Sequence, residues 1–273
     1  MIILVLLLLG LCLGSFTNAL VWRVHEQSKL TSKKERAKLS ISKGRSMCPH
    51  CRHTLGFWDL IPVVSWVALK GQCRYCHKPI EDTPLAELLL PALYILSYAF
   101  WPFDWSRLGI FQFAVWLVVL TGFMALALYD KRWQILPSRI LYPVGVLALV
   151  QVIVLAVANK DWQVLVGALF GVLCLGGLFY GLFQVSKGRW IGGGDVRLGV
   201  VIGLLVGGPS MAVMVLFIAS LLGTLVSLPE LITKKPALKK RVAFGPFLIV
   251  ATVIVYLFGA SLLAWYKGQF LPR

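Results

Sequence analysis

Apolar residues run along this chain in long unbroken blocks, without the alternation or one-sided periodicity of soluble strands and helices. Eight blocks stand out, at 1–22, 85–101, 108–129, 139–158, 163–184, 196–207, 210–229 and 243–265. A bilayer core about 30 Å thick takes roughly 20 apolar residues per helix. The blocks therefore predict an all-α fold, a polytopic membrane helix bundle of about eight transmembrane helices, with 196–207 the short one. A membrane barrel would alternate lipid-facing and lumen-facing residues, and these blocks do not. Composition agrees: of 273 residues, 59% are hydrophobic and 14% charged, which excludes an ordinary soluble domain.

The blocks divide the chain into a first span at 1–22, a polar segment at 23–84 and a bundle at 85–273. No basic residue precedes the first block, whereas Arg23, Lys29, Lys33 and Lys34 follow it. It is expected to be a retained anchor with its N-terminus outside rather than a cleaved signal. Cys12 follows Leu11, not a small residue, so a lipoprotein attachment pattern fits poorly. The net charge of +16 raises the question of nucleic acid. Its placement answers that question, because the Lys and Arg residues gather in 23–84, 131–139, 187–197 and 234–241. All four segments fall on one side of an eight-span chain, and only Arg107, Lys160, Lys267 and Arg273 fall on the other. The positive-inside rule makes the basic side cytoplasmic, and the expected partner of that charge is anionic membrane lipid, not nucleic acid. No internal repeat or low-complexity tract is visible.

Segment 23–84 begins as a charged, helix-compatible stretch and ends in a small cysteine module, "SMCPHCRHTLGFWDLIPVVSWVALKGQCRYCHKPI". Cys48 and Cys51 form one C-x2-C and Cys73 and Cys76 another, with 21 residues between the pairs. Each pair can present two thiolates from a tight turn, and two pairs complete a tetrahedral four-sulfur zinc site. Such a closed site leaves no position for water, so the zinc is expected to be structural. The alternative is a disulfide framework, which the reducing side of a membrane disfavours. His50, His53 and His77 are substitute ligands or solvated surface residues, and Cys12 and Cys174 read as core.

With eleven acids in the chain, each can be placed. Glu87, Asp130, Asp195 and Glu230 sit at block ends, where an ionisable group at membrane depth is costly and often functional. Asp130 closes "VVLTGFMALALYD", and Asp195 opens the block after "GRWIGGG". Two blocks separate them, so the chain returns to the same face. Two neighbouring carboxylates can share one proton, one serving as general base on a water and the other as general acid, the aspartic-protease arrangement. Spacing alone leaves other readings open. Asp195 can cap a helix N-terminus, and Asp130 can pair with Lys131 or Arg132 as an interfacial anchor. Gly192 to Gly194 read as a flexible hinge that lets the backbone of Asp195 approach Asp130 and a substrate closely; as a phosphate loop they lack the following Lys-Ser/Thr and the preceding strand. A secondary transporter using these acids as a proton relay and a zinc-stapled scaffold are the rival functions.

Six stretches in order carry a resemblance: "LGSFTNALVWRV", the two C-x2-C pairs flanking "IPVVSWVALKGQC", then "PLAELL", "YDKRWQILP", "GGGDVRLG" and "FGPFL". The chain resembles the type IV prepilin peptidases, intramembrane aspartyl proteases known by a Gly-x-Gly-Asp motif. The resemblance implies that Asp130 and Asp195 are the catalytic pair, that Gly192 and Gly194 are the motif glycines, and that Glu87 is a secondary site residue. It implies cleavage of a prepilin or pseudopilin leader after a glycine, on the cytoplasmic side of a bacterial cell membrane. It also implies methylation of the new N-terminal amine with S-adenosylmethionine, since the four-cysteine module is characteristic of bifunctional members. Two positions depart from the pattern: Ser138 follows Pro137 where Asp or Asn is usual, and Thr83 precedes Pro84 where tyrosine is common. No glycine-rich S-adenosylmethionine fold is recognisable, so the sequence places no methyl-donor site.

Overall fold

The computed structural model describes residues 1–32, 36, 37, 39, 40, 44–80, 83–232 and 243–270. The basic cluster at 234–241, Lys33, Lys34, Arg273 and the acids Glu35, Glu81 and Asp82 lie outside the described residues, as does the side chain of Glu230. Among the described residues there is no β-strand, only two isolated bridges, and every predicted block is helical. Among the described residues six helical segments are long and apolar enough to cross a membrane. They are α1 (Ile2–Lys29), α4 (Arg107–Trp133), α5 (Ser138–Asn159), the segment Gln163–Ser186, α9 (Pro209–Ile232) and α10 (Gly245–Phe270). The segment Gln163–Ser186 comprises α6 (Gln163–Val172), a π-helical stretch Leu173–Gly177 and α7 (Leu178–Ser186). The other two blocks are shorter helices: α3 (Leu85–Ala99) has 15 residues and α8 (Gly193–Val206) has 14. At about 1.5 Å per residue neither reaches the roughly 30 Å of a bilayer core.

The chain forms two compact units, Met1–Ala99 with Leu120–Ala125, and Phe100–Val119 with Leu126–Arg273. In the first, α1 packs along α3. Gly14 makes this possible, since a Cβ there would lie 2.6 Å from the Ala86 carbonyl oxygen. Near the end of α1 the buried Arg23 donates to the carbonyls of Ser40 and Gly44, and Gln27 Nε2 donates to that of Leu39, so polar contacts tie the chain beyond the helix back onto it.

The cysteine module is built from two matching turns. In the first, Cys48 N–H bonds to His53 O, Arg52 N–H to Cys48 O and Leu55 N–H to Ser46 O. In the second, Cys73 N–H bonds to Lys78 O, His77 N–H to Cys73 O and Ile80 N–H to Gly71 O. The repetition lies in the backbone and in little of the sequence, which is why no repeat is visible there. Between the turns stand a 3-10 helix, Phe57–Leu60, and α2 (Val64–Ala68).

Asp59, its side chain only 5% exposed, ties this linker to the second turn. It accepts from Arg74 Nε at 2.7 Å, from the Tyr75 hydroxyl at 3.2 Å and from the Gly56 N–H at 3.2 Å.

In the second unit α8 is the centre, contacting α5, α6, α7, α9 and α10. Its short apolar run meets protein along Leu198, Val201, Ile202 and Leu205, all buried. A second anchor joins three helices: Trp116 of α4 stacks on Tyr256 of α10 at 4.0 Å, and Gln151 of α5 donates to the Tyr256 hydroxyl at 3.0 Å.

Burial pushes the Asp59 carboxyl upward, but the hydrogen bonds from Arg74, Gly56 and Tyr75 and the Arg74 charge outweigh it and hold it below its ordinary value. A group depressed in this way stabilises the fold fully above its unfolded value of about 3.9, and that contribution is lost as pH falls through the lower folded value. Replacing Asp59 with Asn should cost on the order of 1–3 kcal/mol near neutrality. Hydrogen exchange in the module should show this gap between wild type and D59N holding down to about pH 4 and closing below it.

Candidate active site

Asp130 lies in the last turn of α4, which ends where Gln134 takes a left-handed conformation (φ 55°) and returns its N–H to the Asp130 carbonyl at 2.8 Å. The chain then passes through Leu136 to Pro137, which caps the start of α5. Asp195 is the third residue of α8. Its carboxylate accepts from the Gly192 N–H at 3.3 Å, and its own N–H bonds to the Gly192 carbonyl at 3.1 Å. This reciprocal turn fixes the carboxylate at the positive end of the helix.

The third component is the first residue of α10. A Cβ on Gly245 would lie 2.5 Å from Asp130 Oδ2 and 3.5 Å from Leu136 Cδ2. A Cβ on Gly194 would lie 2.9 Å from Leu136 Cβ. Leu136, itself buried, is thus the wedge against which α8 and α10 both rest, and the wedge follows Asp130 by a few residues. Asp130 is 5% exposed and interacts electrostatically with Asp195, so the two carboxylates predicted to meet are brought into one neighbourhood of the second unit. Asp130 Oδ2 is buried with the Gly245 backbone against it, an expensive setting for a carboxylate with only a packing role. Two neighbouring carboxylates can offer a proton acceptor and a proton donor to one bound molecule.

At the glycines the structure shows ordinary backbone and a close approach. Gly192 is ordinary extended backbone (φ −76°), and Gly193 and Gly194 lie within α8. The need for glycine at position 194 is spatial, and the same need arises at Gly245, which sequence reasoning quoted within "FGPFL" without assigning it a place. The capping reading of Asp195 holds together with its approach to Asp130. Nearby, Arg197 of α8 donates to the hydroxyl of Ser138, one of the two departing positions, and so joins the starts of α5 and α8.

Glu87 belongs to the first unit, in the first turn of α3, and is 9% exposed. Its Oε2 accepts the Val63 N–H at 2.6 Å. Val63 has φ 61° and ψ −50°, and the next N–H, of Val64, reaches back to the Pro62 carbonyl at 2.6 Å. This is a strained γ-turn on a β-branched residue, a conformation that persists only when surrounding contacts impose it. Glu87 supplies one such contact.

The sulfur atoms of Cys48, Cys51, Cys73 and Cys76 all lie within 4.8 Å of one another. Cys48 and Cys76 Sγ are 3.9 Å apart, far beyond a disulfide bond. A tetrahedral zinc with Zn–S bonds of about 2.3 Å places its sulfurs about 3.8 Å apart, so the cluster fits that ion. At Cys48 burial pushes the thiol up, whereas at Cys73 the N–H groups of Cys76 and Tyr75 outweigh burial and bring it down. His50, His53 and His77 are exposed and lie outside the cluster; His53 packs on the Tyr75 ring at 3.8 Å.

Residues 8–101 match the model of the bacterial Peptidase A24 N-terminal domain, and residues 117–228 match that of the type IV leader peptidase family. A prepilin leader peptidase/N-methyltransferase of Pseudomonas aeruginosa is 30% identical over 95% of this chain and 91% of its own. Proteins of the same name from Dickeya chrysanthemi (32% identical, 91% of this chain and 90% of the relative) and Stutzerimonas stutzeri (29%, 95% and 92%) are similar over comparable lengths. No solved structure matches the chain. The protein is an integral membrane protein, and its chain belongs to the type IV leader peptidase family.

Proposed function

We propose that this protein is an intramembrane aspartic endopeptidase that removes the leader of a type IV prepilin or pseudopilin and methylates the new N-terminal residue. The observation that supports the reading is that Asp130, buried against the Gly245 backbone, interacts electrostatically with Asp195. In it, one aspartate takes a proton from a water as that water attacks the scissile carbonyl, and the other donates a proton to the carbonyl oxygen. The substrate helix must unwind locally to expose the bond, which a glycine at the leader–helix junction makes easier. The excess of Lys and Arg in 23–84, 131–139, 187–197 and 234–241 supports a cytoplasmic site and module with the N-terminus outside. Gly192 and Gly194 serve the pair by setting the turn and the clearance at Asp195. The relatives' shared name favours this over a transporter or a scaffold.

Cys48, Cys51, Cys73 and Cys76 would hold one structural zinc, fixing two turns that carry little apolar core of their own. S-adenosylmethionine would supply the methyl group for the amine released by cleavage.

Replacing either Asp130 or Asp195 with Asn should lower cleavage of a purified prepilin by at least about 10³-fold, while the protein stays folded in detergent. Wild-type cleavage by either variant would overturn the assignment. Mass measurement of the product's N-terminus, with and without S-adenosylmethionine, tests the methylation. Elemental analysis should find about one zinc per chain in the wild type and a large loss in Cys48→Ser or Cys73→Ser. Full metal content in those variants contradicts the four-sulfur site.

A further inference from the structure

The linker between the two cysteine turns, "GFWDLIPVVSWVAL" at residues 56–69, carries a single charged residue. Phe57, Trp58, Val64 and Val67 within it are each at least 60% exposed. A water-facing surface carries large apolar side chains singly; several on one short segment mark a surface that meets something apolar.

The depth of the linker follows from α1 and α3, which belong to the same unit. The two helices run antiparallel, since a Cβ on Gly10 would collide with the Pro91 backbone and one on Gly14 with the backbone of Ala86 and Glu87. The start of α3 is therefore level with Gly14. Gly14 lies inside the apolar block of α1, about 12 Å along the helix from Trp22 at roughly 1.5 Å per residue, and the first charge of α1 comes only at Arg23. Glu87 Oε2 accepts the Val63 N–H at 2.6 Å, which brings the middle of the linker to this level. Leu60, Ser65 and Trp66 of the linker likewise share the walls of one cavity with Ser15, Asn18 and Ala19 of α1. Phe16 of α1 and Leu88 and Leu89 of α3 are exposed at the same level, so the apolar face of the linker continues the lipid-facing surface of two membrane helices.

A turn at that depth has to satisfy its backbone without water. The N–H groups of Val63, Val64, Ser65, Val67 and Leu69 all donate within the protein. Glu87 thereby gains a role, supplying to Val63 the acceptor that water would supply to a soluble turn. The one charge of the linker, Asp59, is 5% exposed and bonded to Arg74. Around the linker the module exposes Arg45, Arg52, Lys70 and Lys78, a charge that complements anionic phospholipid headgroups. We propose that residues 57–67 form a membrane-inserted loop, with Phe57, Trp58, Val64 and Val67 entering the lipid beside α1 and α3 and the surrounding cations meeting the headgroups. Trp at this boundary presents an apolar ring to the acyl chains and its N–H to the headgroups. The loop ties the cysteine module to the bilayer surface. The inference rests neither on the aspartate pair nor on the methyl transfer.

The test uses the full-length protein reconstituted in vesicles of phosphatidylcholine and phosphatidylglycerol. The fluorescence lost in Trp58→Phe isolates the emission of Trp58, and an unchanged melting temperature reports that the variant is folded. That emission should be blue-shifted, should be largely lost when the acyl chains carry bromine, and should resist acrylamide added to the water. Quenching by acrylamide and not by brominated chains overturns the proposal, and so does a Trp58 screened from both quenchers by a second copy of the chain or by another protein. As a measurement that needs no variant, the wild type in the same vesicles is labelled with a membrane-partitioning aryl diazirine and the labelled peptides are mapped. Label on residues 57–67 together with label on Leu88 and Leu89 supports the inserted loop. Label on α1 and α3 with none on the linker overturns it.

Discussion

The candidate site depends on a backbone coming where a side chain would not allow it. Gly245 approaches Asp130 Oδ2 so closely that a single added carbon would collide with the carboxylate. Gly194 makes the same kind of approach to Leu136. These two contacts set α10 and α8 against the link that follows α4, and Asp195 arrives beside Asp130 because the helix carrying it is seated there. Membrane helices gain little from hydrophobic contact with one another, since lipid is equally apolar, so close backbone packing is a main source of their association. The site is therefore assembled by the interaction that also holds the bundle, and the absence of Cβ atoms serves both purposes.

The first unit follows a different logic. Its module has little core, and its order comes from directed polar contacts: the paired turns around the four cysteines, the Asp59 cluster, and the buried Arg23 and Gln27 at the end of α1. Glu87 works in the same way, spending a buried carboxylate on one backbone N–H. A segment built like this tolerates strain at Val63.

Much of this was legible in the sequence because lipid is a demanding solvent. Continuous apolarity located α1 and the helices from α3 to α10, and the shortness of 196–207 has its counterpart in the 14 residues of α8, which is wrapped by protein. The C-x2-C pairs were legible because metal-ligand chemistry is local. Counting crossings puts Asp130 and Asp195 on one face, and the resemblance implies their pairing, but neither points to Leu136 and Gly245, against which Asp130 and the start of α8 are packed. Those two escaped sequence reasoning because a leucine wedge and a spatially required glycine look like any others until the partners, distant along the chain, are known. The Glu87 partner was invisible for another reason: it is a backbone N–H, which every residue but proline carries.

The central claim is that clearance at Gly245 sets the carboxylate pair. The most direct test is the rate of prepilin cleavage by Gly245→Ala, with folding checked by bound zinc and melting temperature. One methyl group at that position must displace the Asp130 carboxylate or the start of α10. Displacements on the order of 1 Å cost about a hundredfold in rate where positioning matters. The account predicts a loss of at least about that size in a folded protein. Wild-type cleavage by folded Gly245→Ala would contradict it.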